Sequence, residues 1–207
     1  MSPIKIGVLI SGGGTNLQCL IDGIKSGYIN GEIKLVMSNK KDAYGLKRAE
    51  KEGIEALYID RKSFGSEEEY NRKVIETFKN REIDLVVLAG YLRVLSKEFV
   101  REYSGRIINI HPSLIPSFCG KGYYGEKVHK EVLRYGENPH QEGAFYREGT
   151  DTGPIILQRT VEVKEQDTVE TLKDRVLKVE HEILAEAVKL FCDRKIKLED
   201  RKVTILR

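Results

Sequence analysis

Short apolar runs alternate along the chain with longer stretches whose apolar residues recur at helical spacing. The short runs predict strands at 4–10, 32–38, 54–59, 84–90, 106–110 and 153–163. The longer stretches predict helices from about 16, at 43–53, from 66 to about 80, at 96–103, at 125–135 and from 168 toward 191. This alternation is typical of an α/β fold with a Rossmann-like, mostly parallel sheet and helices on both faces. Residues 196–206 predict a C-terminal β-hairpin.

Helix starts are marked by capping residues. Ser66 followed by Glu69 predicts a capping box, and Thr168 precedes the long last helix. Parallel sheets of this type bind ligands outside the carboxyl ends of their strands. We therefore expect a site in the loops that follow Ile10, Leu88 and Ile110.

The first of these loops is rich in glycine. Gly12, Gly13 and Gly14 end a strand, and the next helix begins near Asn16. A helix N-terminus offers free N–H groups and a partial positive charge, which suits phosphate. The spacing is neither that of a dinucleotide fold nor that of a P-loop, so a single phosphate is the better interpretation. The alternative is a glycine turn that only lets helix and strand pack closely.

The strand at 106–110 carries two polar residues at its end. Because strand side chains alternate between faces, Asn109 and His111 point the same way, and Pro112 restricts His111 to an extended backbone. An amide donor beside an imidazole could stabilise a developing oxyanion and move a proton. The alternative is a polar strand end in which both groups hydrogen-bond to backbone.

Two further segments are candidates. Asp151 stands in a glycine-flanked turn before the strand at 153–163, where it is either an ordinary turn residue or a carboxylate directed at His111. The stretch Tyr91 to Leu95 is apolar at a carboxyl edge, where it could hold a flat aromatic ligand or cap the next helix.

Composition narrows the function classes. The 207 residues are 40% hydrophobic and 32% charged, as in an ordinary globular protein, and the net charge of +3 gives no indication of a nucleic-acid partner. No apolar run is long enough for a membrane span, and the first apolar run is interpreted as a strand and not a signal peptide. Three scattered cysteines favour a reducing, cytoplasmic compartment, and no histidine spacing predicts a metal site.

Six segments together resemble phosphoribosylglycinamide formyltransferase, the folate-dependent GAR transformylase family of purine synthesis. They are VLISGGGTNLQ, SNKKDAYGLKRAEKEGI, LVVLAGYLRVLS, IINIHPSLIPSFCGKG, GTDTGPIILQ and KVEHEIL, and they follow the family order from residue 4 to about 191. The resemblance implies one formyltransferase domain over 1–207. It also implies formyl transfer from 10-formyltetrahydrofolate, a cosubstrate, to the amine of glycinamide ribonucleotide (GAR), by a monomer or homodimer that needs no metal, nucleic acid or membrane.

The resemblance also implies roles for individual residues. The catalytic residues would be Asn109, His111 and Asp151, which bind the formyl oxygen, stabilise the oxyanion and relay the proton. Substrate binding would fall to Gly14, Thr15 and Asn16 for the phosphate and to Glu180 for the ribose. Residues that would line the folate pocket are Tyr91, Leu92, Arg93, Val94, Leu95 and Asn109.

Two departures from the family pattern stand out. Glu67 occupies a position where the family often has a basic residue that approaches the folate. Residues 134–147 differ from the family's usual strand, which carries its own histidine where Ala144 stands, and Arg134 to Gln141 resemble a short motif of AICAR transformylase. The strand before Asp151 is therefore expected to be shortened or displaced. This leaves, as an alternative function, a folate- or nucleotide-binding module with impaired catalysis.

Other enzyme classes fit less well. Methionyl-tRNA formyltransferase has a related catalytic domain but carries a C-terminal RNA-binding domain, for which we expect no room in this chain. An NAD-dependent dehydrogenase is disfavoured by the glycine spacing. Cys119 lacks neighbours that would lower the pKa of a nucleophilic thiol, except the distant Lys121.

Overall fold

The chain forms two compact units, Met1–Ile108 and Asn109–Arg207. The computed structural model describes residues 2–120, 122–135, 140–145 and 152–206, with only the backbone described at 140–145. Within these ranges, no helix combines the length and the hydrophobicity that a membrane span requires.

The first unit alternates strands and helices. Its elements are β1 (Ile4–Ile10), α1 (Thr15–Lys25), β2 (Gly31–Ser38), α2 (Tyr44–Lys51), β3 (Ala56–Tyr58), α3 (Glu67–Lys79), β4 (Leu85–Leu88) and α4 (Lys97–Glu102), and β5 (Ile107–His111) starts here and ends in the second unit. The strands lie in the order β3-β2-β1-β4-β5, and the pairs among β1 to β4 are parallel. In β1 the side chains of Val8, Leu9 and Ile10 are all fully buried. Because consecutive side chains point to opposite faces, both faces of this strand are covered.

In the second unit, the described residues form two helices and two antiparallel pairs of strands. Its elements after β5 are α5 (Glu126–Tyr135), β6 (His140–Phe145), β7 (Ile155–Thr160), α6 (Val169–Cys192), β8 (Ile196–Glu199) and β9 (Lys202–Ile205). Strand β6 pairs with β7, with a register shift between Gly143 and Ala144, and β8 pairs with β9 as a hairpin. One buried cluster combines side chains of α5 and α6 with the residue that follows β7: Val128, Val132, Val161, Leu172 and Val176.

The sequence predictions of fold class and C-terminal hairpin are confirmed, and the differences lie at element ends. Strand β3 is shorter than predicted, and β5 continues through His111. The capping box is half right: Ser66 Oγ accepts a bond from the Glu69 N–H at 3.1 Å, but the Glu69 carboxylate accepts from Gly65, not from Ser66. A six-residue strand, β6, does precede Asp151, which itself lies outside the described residues.

Candidate active site

The glycine loop is held against the start of α2. Gly14 has φ 73°, and a Cβ atom at this position would lie 2.6 Å from the Cα of Gly45. The Gly45 N–H donates to the Gly12 carbonyl at 3.0 Å. Both the left-handed backbone and the close approach exclude a side chain at residue 14, so the glycine is required here.

The first turn of α1 has no side-chain cap. Gly14 is the N-cap residue, and the turn contains no acidic side chain. In contrast, α3, α4 and α6 are capped by the hydroxyls of Ser66, Ser96 and Thr168. No side chain thus caps the start of α1, and the helix dipole favours an anion there.

Arg48 braces the glycine loop, a contact that the sequence analysis did not identify. Its Nε donates to the Gly13 carbonyl at 2.9 Å and its Nη1 donates to Gln18 Oε1 at 3.1 Å. The guanidinium also lies 5.1 Å from the ring centre of Tyr44. One cation therefore fixes both the loop and the helix that follows it, and adds positive charge near the predicted phosphate site.

The segment Tyr91 to Leu95 leaves the carboxyl end of β4, beside the loop that leaves β1, because β1 and β4 pair in parallel. Leu92 and Val94 are 49% and 62% exposed, unusual for apolar side chains that are so close together. Burial raises the pKa of the Tyr91 phenol, so its hydroxyl stays protonated. An exposed apolar edge with a neutral phenol is consistent with the predicted contact to a flat ligand.

The side chain of Arg93 is held by α3. Its guanidinium lies 4.7 Å from the ring centre of Tyr70 and forms an ion pair with Glu67. Glu67 also accepts a bond from Arg61 Nε at 2.6 Å. The hydrogen bonds to Arg61 and Arg93 lower the pKa of the Glu67 carboxyl, and the bond to Arg61 has the larger effect. Glu67 is therefore an anion that two guanidinium groups share. The acidic residue noted in the sequence thus holds Arg93 in place.

In the second unit, Asn109 and His111 lie two residues apart on β5, which is unbroken through His111. Two residues on a continuous strand project from the same face, as predicted. Asn109 is half-buried, whereas His111 is only 5% exposed. The strand thus presents an amide and an imidazole on one face at its end.

The loop after β5 folds back onto the imidazole. His111 Nε2 lies 3.1 Å from the Phe118 carbonyl oxygen, to which its N–H donates. The Ser113 hydroxyl lies 2.7 Å from the Ser117 carbonyl oxygen and 3.2 Å from that of Phe118. One part of the alternative interpretation, a backbone partner for His111, is therefore present. The bond fixes the orientation of the ring.

The structure describes only one of the two remaining predicted site residues. Glu180 is half-buried in α6, and Asp151 lies outside the described residues. Among the residues that the structure describes, no cluster of three or more His, Cys, Asp or Glu side chains could hold a metal ion.

The comparisons with known proteins agree on one family. The formyl transferase family profile matches residues 4–188. The chain is 39% identical over 198 residues to the phosphoribosylglycinamide formyltransferase of Escherichia coli (strain K12), covering 95% of this chain and 91% of that protein. It is 37% identical over 196 residues to the Haemophilus influenzae enzyme of the same name, again covering 95% and 91%.

A solved structure is also very similar. The crystal structure of glycinamide ribonucleotide transformylase 1 from Symbiobacterium toebii superimposes with a TM-score of 0.93 at 41% identity, covering all of this chain and 95% of that one. Sequence and structure thus agree over nearly the whole length. The chain belongs to the formyl transferase family and, within it, to the phosphoribosylglycinamide formyltransferases.

Proposed function

We propose that this protein transfers the formyl group of 10-formyltetrahydrofolate to the amine of glycinamide ribonucleotide, a step of purine biosynthesis. The observation that carries the proposal is the pair Asn109 and His111 on one face at the end of an unbroken strand. The relatives named phosphoribosylglycinamide formyltransferase support it.

The reaction needs a nucleophile, an oxyanion site and one proton transfer. The substrate amine attacks the formyl carbon, and the formyl oxygen becomes an oxyanion that Asn109 and His111 stabilise by hydrogen bonding. The bond between the formyl carbon and N10 of the folate then breaks. The amine loses one proton and N10 gains one, carried by His111 with Asp151 as the relay, so the products are formyl-GAR and tetrahydrofolate.

Binding is assigned to the remaining predicted residues. The backbone N–H groups of Gly14, Thr15 and Asn16 bind the phosphate, supported by the uncapped start of α1. Glu180 accepts bonds from the ribose hydroxyls. Tyr91 to Leu95 and Asn109 line the folate pocket, supported by the exposed apolar side chains of Leu92 and Val94.

Three broader expectations accompany this proposal. The chain acts as one formyltransferase domain over 1–207, it is a monomer or homodimer in the cytoplasm, and it uses no metal. One observation bears on the compartment: within the part of the chain that the structure describes, Cys19, Cys119 and Cys192 form no disulfide bond.

The test is turnover of purified protein with both substrates. We expect tetrahydrofolate and formyl-GAR to form together, and only when GAR is present. If GAR and folate bind with no transfer, the protein is a binding module with impaired catalysis. Release of free formate without GAR would show a hydrolase. Either result overturns the proposal.

A further inference from the structure

The carboxyl ends of β1, β2 and β4 meet at one hydroxyl group in the first unit. Ser11, the residue after β1, is 3% exposed. Its Oγ donates to Asn39 Oδ1 at 2.6 Å and accepts from the Leu92 N–H at 2.8 Å. Asn39 directly follows β2, and Leu92 lies in the loop after β4.

The Ser11 side chain extends the pairing of β1 and β4 beyond the last hydrogen bond between their backbones. The Ala89 N–H donates to the Leu9 carbonyl at 2.9 Å, and Gly90, with φ 78°, then turns the chain out of line. Two residues later, Leu92 is bound to the hydroxyl of Ser11 in place of a backbone carbonyl. This bond anchors the Tyr91 to Leu95 loop to the end of β1 after the chain has turned at Gly90.

The Ser11 hydroxyl has one proton, which it donates in the hydrogen bond to Asn39. Because the proton is directed to Asn39 Oδ1, a lone pair of the oxygen remains for the Leu92 N–H. Chains of hydrogen bonds of this kind polarise and strengthen one another. Asn39 therefore sets the direction in which Ser11 holds Leu92.

We infer that Ser11 is a positioning residue that fixes the segment Tyr91 to Leu95 (the folate loop) relative to the glycine loop at residues 12–14 (the phosphate loop). Ser11 precedes the glycine loop by one residue, and Leu92 belongs to the segment that is assigned to folate. This inference rests on the proposed function, because it assigns one substrate to each loop. A shift of about 1 Å between reacting groups can lower the rate about 100-fold. One hydrogen bond between the loops thus controls how the formyl carbon and the amine meet.

The first experiment measures the bond itself and needs no substrate. Amide hydrogen exchange is followed in wild type and in Ser11→Ala. We expect the Leu92 amide to exchange at least tenfold faster in the variant, whereas Ala89, bound to a backbone carbonyl, keeps its protection. Equal exchange of Leu92 in the two proteins would overturn the inference.

The second experiment measures function. Ser11→Ala should lower kcat about tenfold to 100-fold while the KM of each substrate changes less than about threefold, since the ligands of each loop remain. Asn39→Ala keeps Ser11 Oγ as the acceptor for the Leu92 N–H but allows the hydroxyl to rotate. It should therefore lower kcat less than Ser11→Ala does. Ser26→Ala is the matched control: its exposed hydroxyl donates to the Gly23 carbonyl at 3.0 Å, and kcat should stay at the wild-type value.

The outcomes separate this inference from the proposed function. An inactive wild type refutes the function and leaves the exchange result to decide on the bond. An active wild type with an unchanged kcat in Ser11→Ala refutes the inference. If Ser11→Ala does not fold, the kcat of Asn39→Ala decides: a loss supports the inference, and a wild-type kcat refutes it.

Discussion

At the scale of single residues, the environment of His111 sets what the ring can do. It is 5% exposed, and its Nε2–H is held by the Phe118 carbonyl. A ring fixed in this way loses little freedom when the substrate arrives, which favours transfer of a proton along a defined direction. The residues assigned to the folate pocket, apart from Asn109, lie on a different loop, so chemistry and folate binding can be separated by mutation.

Substitution of the imidazole tests that separation. His111→Ala should lower kcat by about 100-fold to 10,000-fold, as expected for loss of a proton-transfer group, and leave folate affinity nearly intact. Steady-state kinetics and a folate binding titration measure the two effects. A large loss of folate binding would show that the pocket has been assigned to the wrong residues.

A second histidine should make stability depend on pH. His129 in α5 is 3% exposed, and among the described residues its Nδ1 has no hydrogen-bond partner. Burial, assisted by Lys173 on α6 and opposed by Glu126, lowers the pKa of His129 to about 4. At pH values between 6.5, the pKa in the unfolded chain, and about 4, the unfolded chain binds a proton that the folded chain does not. Stability is thus complete above about pH 6.5 and falls as the pH drops toward 4.

The measurement compares wild type with His129→Leu. Chemical denaturation between pH 7.5 and 4.5 should show wild type losing roughly 2 kcal/mol more than the variant, because the leucine cannot bind a proton. Equal losses in the two proteins would show that His129 does not cause the pH dependence.

At the scale of elements, the glycine loop and α2 form one packed unit. Gly14 and Gly45 leave room for no Cβ between them, and Arg48 ties the loop to its own helix. The backbone N–H groups that would bind phosphate are therefore held in place before any ligand arrives. Such preorganisation reduces the entropy lost on binding.

Adding one methyl group tests this packing. Gly14→Ala should destabilise the protein by roughly 2–4 kcal/mol, because it combines a left-handed backbone with a clash of 2.6 Å against Gly45. Gly13→Ala is the control, since a Cβ there meets no atom within 4 Å. It should change the free energy of unfolding by less than about 1 kcal/mol. Urea denaturation of both variants measures the difference, and equal effects would contradict the prediction.

The ion pairs between α3 and the folate loop give a second element-scale prediction. Glu67→Ala releases the guanidinium groups of Arg61 and Arg93, so the loop gains positive charge beside the expected folate site. Folates carry carboxylates, and their affinity should rise about threefold to tenfold at low salt and less at high salt. Glu68→Ala, which changes a neighbouring exposed glutamate, should leave affinity unchanged. A loss of affinity in Glu67→Ala would show that the main role of Glu67 is to hold Arg93 in position.

The sequence predicted the elements well because local signals define them. Hydroxyl caps at Ser66, Ser96 and Thr168 place three helix starts within one residue. The bonds from Arg48 to Gly13 and from Leu92 to Ser11 join residues 35 and 81 positions apart. Nothing in the local pattern indicates such partners, since they depend on which strands become neighbours. The candidate site residues were predicted from residue type, spacing and the family resemblance, whereas the contacts that support them required the structure.

At the scale of the whole molecule, residues 134–147 are a segment in which the sequence pattern differs from the family resemblance. The structure places strand β6 there, paired with β7 and with a register shift between Gly143 and Ala144. A bulge of this kind interrupts the pairing locally and bends the strand that carries the extra residue. Asp151, the assigned proton relay, follows this segment closely in sequence. We therefore expect the segment to influence the rate of transfer more than it influences folding.

Exchange of this segment tests that statement directly. When residues 136–147 are replaced by the corresponding residues of the Escherichia coli relative, kcat should rise while the KM of both substrates stays within about twofold, because a shift of ~1 Å at the relay can change the rate about 100-fold without touching either binding loop. Asp151→Asn in the exchanged protein is the control and should remove the gain. An unchanged kcat would mean that the native segment already places the relay correctly. A change in KM alone would mean that the segment acts on binding, and the assignment of Asp151 would then have to be reconsidered.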